Sequence, residues 1–156
     1  MDFSELIRQR YSVRAYRSTP VEEEKLLEVL EAARLAPTAA NRQSFQIIVI
    51  ATAGREAELA RIYKAKWFSD APYVIAAVGL PAGNWVRKDG HNYYDVDAAI
   101  VMDHLILAAA NAGLGTCWIG AFDVGAAREV LGLPAEAEPV AFTPLGYPAD
   151  EPAPKR

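Results

Sequence analysis

Residues 95–115, DVDAAIVMDHLILAAANAGLG, decide the fold. The stretch from Asp95 to Ala112 reads as a helix with apolar side chains on nearly every side, not along one stripe, so it must be covered from several directions. A helix of that kind is central. Asp103, His104 and Asn111 interrupt it and it is too short to span a bilayer, which leaves burial in a protein core. Asp95 and Asp97 stand at its start, where carboxylates favour the positive end of the helix dipole. Gly113-Leu114-Gly115 stops it. Thr116 to Phe122 (TCWIGAF) then reads as a strand, and Asp123 caps a short helix that runs to Gly132.

Working outward, Tyr73–Gly79 (YVIAAVG) and Gln46–Ala51 (QIIVIA) are buried strands by their β-branched content. Between them Gly54–Lys66 reads as a helix with Leu59, Ile62 and Tyr63 on one face. Thr19-Pro20-Val21-Glu22 supplies a Thr N-cap, a proline at the first helical position and a glutamate at the third. The helix it opens turns Leu26, Leu27, Leu30 and Ala33 inward and ends near Ala36, before Pro37. Asp2 with Glu5 makes a capping box for a helix over Asp2–Arg10. Pro139–Tyr147 (PVAFTPLGY) is a fourth strand, expected at a sheet edge because Pro144 has no N–H to donate. Pro81–Tyr94, with Trp85, Tyr93 and Tyr94, is a long loop that reads either as a lid or acceptor wall, or as packing against a neighbouring helix. Helices and strands are interspersed, so the class is α+β: one sheet between helices, in a single domain over residues 1–156.

Bulk properties exclude several functions. A net charge of −4 and a pI near 5.2, with no basic stripe beyond the N-terminal segment, argue against a nucleic-acid partner. The lone Cys117 makes neither a disulfide framework nor a cysteine metal cluster, and a reducing compartment is the default. The acidic, amphipathic N-terminus is no secretory leader, so a soluble, cytoplasmic protein without a membrane partner is expected. There is no GxxxxGK[ST], and Gly113-x-Gly115 follows a helix and precedes a strand, the reverse of a dinucleotide fingerprint. His91 has no partner ligand nearby, His104 reads as a core histidine and Cys117 as an inert buried thiol. No Ser-His-Asp or Cys-His set assembles, so a hydrolase has no support.

Two segments remain. Residues 8–17, RQRYSVRAYR, hold four arginines and two tyrosines, with Ser12 between Arg10 and Arg14. Guanidinium forks in that spacing suit a phosphate dianion. The alternative is a set of solvated cations complementing a helix C-terminus. Residues 36–43, APTAANRQ, leave a long helix and enter a buried strand. Their small side chains admit a flat ligand, and Thr38, Asn41 and Gln43 offer donors and acceptors; a plain helix-to-strand turn needs only Pro37 and Asn41. Phosphate grips with few acid–base groups suit an enzyme whose cofactor carries the chemistry.

Four blocks in order, RQRYSVRAY, EAARLAPTAANRQSFQIIV, LAAANAGLGTCWIGAFD and LGYPADEPAPKR, resemble the FMN-dependent nitroreductase family over essentially the whole chain. The resemblance implies a three-layer sandwich, with one mainly antiparallel sheet flanked by helices. It also implies a homodimer holding two FMN molecules at its interface, with NAD(P)H as electron donor. Arg10, Ser12 and Arg14 match the family's phosphate grip, with backbone contacts from Tyr11 and basic groups from Lys155 and Arg156. Pro37, Thr38, Ala39 and Asn41, with Gln43 nearby, match the segment that meets the flavin from the second subunit. Ile119, Gly120 and Ala121 match the backbone stretch against the isoalloxazine, where the Gly120 N–H would reach N5. Lys64 or Lys66 would approach its pyrimidine edge. The implied activity is ping-pong hydride transfer from NAD(P)H to a nitroaromatic, quinone or similar small acceptor. Specialised FMN enzymes of the same fold (a reductive dehalogenase, a flavin-fragmenting enzyme, a dehydrogenase) and a non-catalytic flavin-binding protein are the alternatives. Ser44-Phe45 stands where the family usually has Pro-Trp, and Trp118 and Gly120 replace residues common in its larger members. A C-terminal arm wrapping the partner is also missing, which implies a less interlocked dimer.

Overall fold

The computed structural model describes residues 2–151. In chain order the elements are α1 (Phe3–Gln9), α2 (Glu23–Arg34), a 3-10 turn (Ala39–Asn41), β1 (Phe45–Ala51), α3 (Glu56–Ile62), α4 (Trp67–Asp70), β2 (Tyr73–Gly79), α5 (Tyr94–Asn111), β3 (Gly115–Thr116), α6 (Val124–Leu131) and β4 (Glu138–Gly146). The four strands form one sheet in the order β1-β2-β4-β3, and each neighbouring pair is antiparallel.

The sheet is covered on both faces, which is why β2 reads as an unbroken apolar run. Ile75 and Ala77 face a core built with α2 and α5, whereas Val74, Ala76 and Val78 face a second core built with α3, α4 and α6. In the first core Val101, Met102 and Leu105 of α5 are fully buried. Burial at that level is worth about 1.5–3 kcal/mol for each side chain, so α5 anchors this layer. In the second, Phe142 of β4 meets Phe68 and Phe122 edge-to-face. Among the described residues no helix is long and apolar enough to cross a membrane.

The architecture is the expected α+β three-layer sandwich, with several local differences. The helix anticipated from Thr19 begins at Glu23, because Val21 is buried and the chain stays extended through Glu22 to put it there. Leu27 faces outward, 56% exposed, and Val29 fills the core in its place. The helix expected over Gly54–Lys66 stops at Ile62, where Tyr63 turns extended before the short α4. The third strand pairs regularly only at Gly115 and Thr116, then touches the sheet once more through Ile119 and Phe142.

Pro144 is not at an edge. β4 lies between β2 and β3. Phe142 exchanges both backbone hydrogen bonds with Ile119, so Phe142 and, two residues on, Pro144 turn their backbone groups toward the β3 side. The ladder has lapsed there: the Cys117 N–H donates to Thr143 Oγ1, at 3.0 Å, instead of to the backbone. A missing N–H at Pro144 therefore breaks no pairing.

Candidate functional site

The basic segment lies along the end of β3. Val13 N–H donates to the Thr116 carbonyl at 2.9 Å, and Ser12 bridges Thr116 in parallel. This close approach requires glycine at 115, since a Cβ there would come 2.6 Å from Val13 Cγ2. Val13 and Tyr16 point into the core while Arg14 is exposed. Residues 147–150 run beside the same segment. Arg17 N–H donates to the Tyr147 carbonyl and Ala149 N–H to the Ala15 carbonyl. The Asp150 carboxylate accepts from Arg14 N–H at 2.9 Å, and the Tyr11 hydroxyl donates to the Asp150 carbonyl at 2.9 Å. Lys155 and Arg156 fall outside the described residues, but the chain leading to them passes the arginines.

Arg10, Ser12 and Arg14 gather around Cys117. Burial pushes the Cys117 thiol up, and nearby Arg14, Ser12 and Arg10 oppose that shift. The thiol is thus a neutral packing group, as its sequence context indicates. The pairing of the arginines is more informative. Arg34, Arg55, Arg61, Arg87 and Arg128 each pair with a carboxylate. Among the described residues Arg8, Arg10, Arg14, Arg17 and Arg42 have none within ion-pair distance, and of these Arg10 and Arg14 are the two that flank Ser12. Two guanidinium groups without an ion pair among the described residues, one on either side of a serine, fit a phosphate dianion, although the Asp150 carboxylate also lies on the Arg14 backbone.

Ile119, Gly120 and Ala121 continue from Cys117. Ile119 is buried and bonded to Phe142, whereas Gly120 is exposed. A Cβ at Gly120 would meet nothing within 4 Å, and its amide has no hydrogen-bond partner among the described residues. An exposed glycine with an unpartnered amide and no Cβ leaves room for a flat ring to lie close. Asp123 N–H donates to the Ile62 carbonyl at 2.9 Å, which brings the α3–α4 break, and with it Lys64 and Lys66, alongside this stretch.

The other segment is separate. After Pro37, Thr38 is extended and a 3-10 turn follows, with Ala40 at φ 50°, Asn41 at φ 53° and Gln43 at φ 53°. Left-handed backbone at non-glycine residues costs about 1–2 kcal/mol per residue, so other contacts must hold this turn. Thr38 Oγ1 accepts from Gln43 N–H at 3.0 Å, and Asn41 Oδ1 accepts from the Gln43 side-chain amide at 3.1 Å. Asp97 Oδ1 accepts from Ala39 N–H at 2.8 Å. Asp97 is only 1% exposed. Sequence reasoning treated it as a dipole partner and missed this bond. The available signal was a carboxylate in line with Val101 and Leu105 at four-residue spacing, on a helix otherwise apolar there.

The structure does not bring the two segments together in one chain. The turn docks at the start of α5 through Asp97, while Arg10 and Tyr11 share a cavity with Ala110 and Leu114 at its end. Asp97 and Asn111 are fourteen residues apart on one helix, about 21 Å. That cavity measures about 180 Å³, below the roughly 300–1,000 Å³ of ligand pockets in general. A single chain therefore carries the two segments at opposite ends of α5.

Comparisons with known proteins bear on the family and the fold. The family model described as Nitroreductase family matches residues 7–147. A crystal structure of a nitroreductase family protein from Clostridium difficile strain 630 superposes with a TM-score of 0.89 at 39% identity, covering 99% of this chain and 88% of that one. A protein of Archaeoglobus fulgidus with the provisional name NADH dehydrogenase/NAD(P)H nitroreductase is 31% identical, over 94% of this chain and 85% of its own length. A structure titled as an FMN-dependent nitroreductase, from a second Clostridium difficile strain, reaches a TM-score of 0.85 at 26% identity, over 97% and 90% of the two chains.

Proposed function

The chain belongs to the nitroreductase family, and from that membership we propose that it is an FMN-dependent NAD(P)H oxidoreductase of small acceptors such as nitroaromatics and quinones, cytoplasmic and built as one FMN-binding domain over residues 1–156. The carrying observation is the pair of guanidinium groups, Arg10 and Arg14, on either side of Ser12 and without an ion pair among the described residues. When bound, FMN supplies the redox chemistry, taking electrons from NAD(P)H in one half-reaction and giving them to the acceptor in the next.

The chain's own residues bind and orient. Arg10, Arg14 and the Ser12 hydroxyl hold the phosphate, with Tyr11 backbone beside them and Lys155 and Arg156 adding charge from the tail. The Gly120 amide donates toward the ring, between Ile119 and Ala121, and needs no titratable group to do so. Pro37, Thr38, Ala39, Asn41 and Gln43 present small side chains and amide groups to the ring of the partner subunit's site.

A homodimer follows from the same reading, since half-sites about 21 Å apart on one helix meet only when a second copy turns its α5 the other way. An apolar groove of about 480 Å³ between α1, α2 and α5, lined by Phe3, Leu6, Ala32, His104, Leu107 and Ala108, supplies a surface for it. Phe3 on its rim is 67% exposed.

The test is a visible spectrum of the purified protein. A flavin band that bleaches under anaerobic NADH or NADPH and returns with a quinone or nitroaromatic supports the reading. A flavin left oxidised by excess of both nucleotides ends it.

A further inference from the structure

Asp97 carries more structure than its position in the first turns of α5 requires. The residue is 1% exposed, its Oδ1 accepts from Ala39 N–H at 2.8 Å, and its buried Oδ2 has no hydrogen-bond partner among the described residues. Burying a carboxylate and leaving one oxygen unsatisfied is unfavourable, and an alanine or leucine would pack at this site without that cost. Helix-dipole stabilisation alone needs no such burial, since Asp95, also in the first turn, meets it while exposed. What the buried carboxylate adds is a fixed acceptor for the N–H that begins the strained turn. Immediately after that N–H come Ala40 and Asn41, both left-handed, and then Gln43.

We propose that Asp97 is a positioning residue for FMN: its carboxylate pins Ala39 N–H to the start of α5 and so holds the left-handed 39–43 turn in the shape that meets the partner subunit's flavin. This rests on the FMN reading above. Asp97 touches no cofactor in it. It acts through the backbone of Ala39, and the Thr38 and Asn41 hydrogen bonds to Gln43 complete a clamp that is otherwise made only of the turn's own residues. Among the described residues the bond to Asp97 is the one hydrogen bond that ties residues 39–43 to an element other than the adjoining β1, and without it the left-handed residues relax toward ordinary backbone.

The experiment titrates FMN into apoprotein, read by flavin fluorescence, for the full chain and its variants, with folding checked by cooperative thermal unfolding. Loss of one charge-assisted bond predicts about tenfold or more weaker FMN binding in D97A. D97N keeps an oxygen for Ala39 N–H and is expected to recover most of that loss, which a loss of charge alone would not explain. A39P deletes the donor itself; proline suits the first position of a helical turn after the extended Thr38. A39P is expected to weaken FMN binding to a similar degree, and the A39P/D97A double variant to be no worse than either. If D97A does not fold, A39P and A39P/D97N decide: binding weakened in A39P and no weaker in that double variant supports the proposal, because Asp97 then acts only through the Ala39 N–H, whereas unchanged binding in A39P or a further loss in that double variant overturns it. FMN affinity equal to wild type in folded D97A, no recovery in D97N, or additive losses in the double variant also overturn it. A wild-type apoprotein that takes up no FMN fails differently, because it overturns the cofactor reading and this inference falls with it.

Discussion

Replacing Arg10 and Arg14 together by alanine separates cofactor holding from folding more sharply than any other change to this chain. Neither guanidinium has a carboxylate partner among the described residues, so no ion pair is lost. The backbone bonds that seat the segment, Val13 N–H to Thr116, Arg14 N–H to Asp150 and Ala149 N–H to Ala15, do not involve either side chain. The melting temperature should therefore hold. A charge-assisted hydrogen bond is worth about 1.5–3 kcal/mol, and the exposure of Arg14 favours the lower half of that range. Two such bonds give about 3–4 kcal/mol, or roughly a 100- to 1,000-fold loss of FMN affinity. The double variant should purify colourless. Equilibrium dialysis against FMN, with the absorbance near the flavin band read on the protein side, measures it. Arg17→Ala is the control: its side chain lies on the same basic segment but outside the Arg10–Ser12–Arg14 set, and its affinity should match wild type. A double variant that keeps FMN at wild-type affinity would show that the cluster is only a solvated complement to the end of α1.

Three further outcomes are expected. Gly120→Val should leave thermal stability unchanged, because a Cβ there meets open space, but should weaken FMN binding and lower kcat; unchanged flavin binding and turnover would place the ring elsewhere. Gly115→Ala should destabilise by about 1–3 kcal/mol in denaturant unfolding, because its Cβ would collide with Val13; a stability change near zero would mean that Val13 moves freely. Burial raises both the Cys117 thiol and the Tyr16 hydroxyl above their ordinary ranges. The folded state therefore resists their ionisation, so this contribution is complete below the ordinary thiol range and is lost as pH rises above about 9. Melting temperature measured from pH 7 to 10.5 should fall at the alkaline end, and a flat profile would contradict the assignment.

Much of this architecture is legible in the residues because local and global signals agree. The Asp2–Glu5 capping box, the Asp123 cap and the left-handed Gly132 stop are local devices, and each appears where the sequence puts it. Tyr73–Gly79 matches the expected strand residue for residue, since burial on both faces removes ambiguity about its register. The misreadings arise where a tertiary contact overrides a local rule. Thr19-Pro20 has the composition of a helix start, but burying Val21 is worth more than three residues of helix. Pro144 obeys the rule that proline avoids ladder positions; the rule was applied to the strand as a whole, whereas the ladder fails at one residue only. The inward position of Asp97 was legible from its spacing with Val101 and Leu105, but its partner was not, because Ala39 lies 58 positions away in the chain.

The site itself was legible only in part, for a reason that follows from its geometry. An active site made by one chain leaves a cluster of acids, bases or nucleophiles that topology then gathers. Here the two recognisable segments are anchored to opposite ends of α5, each is explicable alone as a helix terminus or a turn, and neither holds a titratable group at the reacting position. In the proposed reading they are halves of one site, and three features among the described residues favour it: arginines without an ion pair on either side of Ser12, an amide without an acceptor at Gly120, and left-handed backbone at residues other than glycine. The left-handed backbone costs free energy in the isolated chain, and together the three features offer cations, a donor and a shaped edge, which a phosphorylated flat ring between two copies would satisfy at once. The buried Asp97 carboxylate fits the same logic, being a cost borne at the core so that one of those halves keeps its shape.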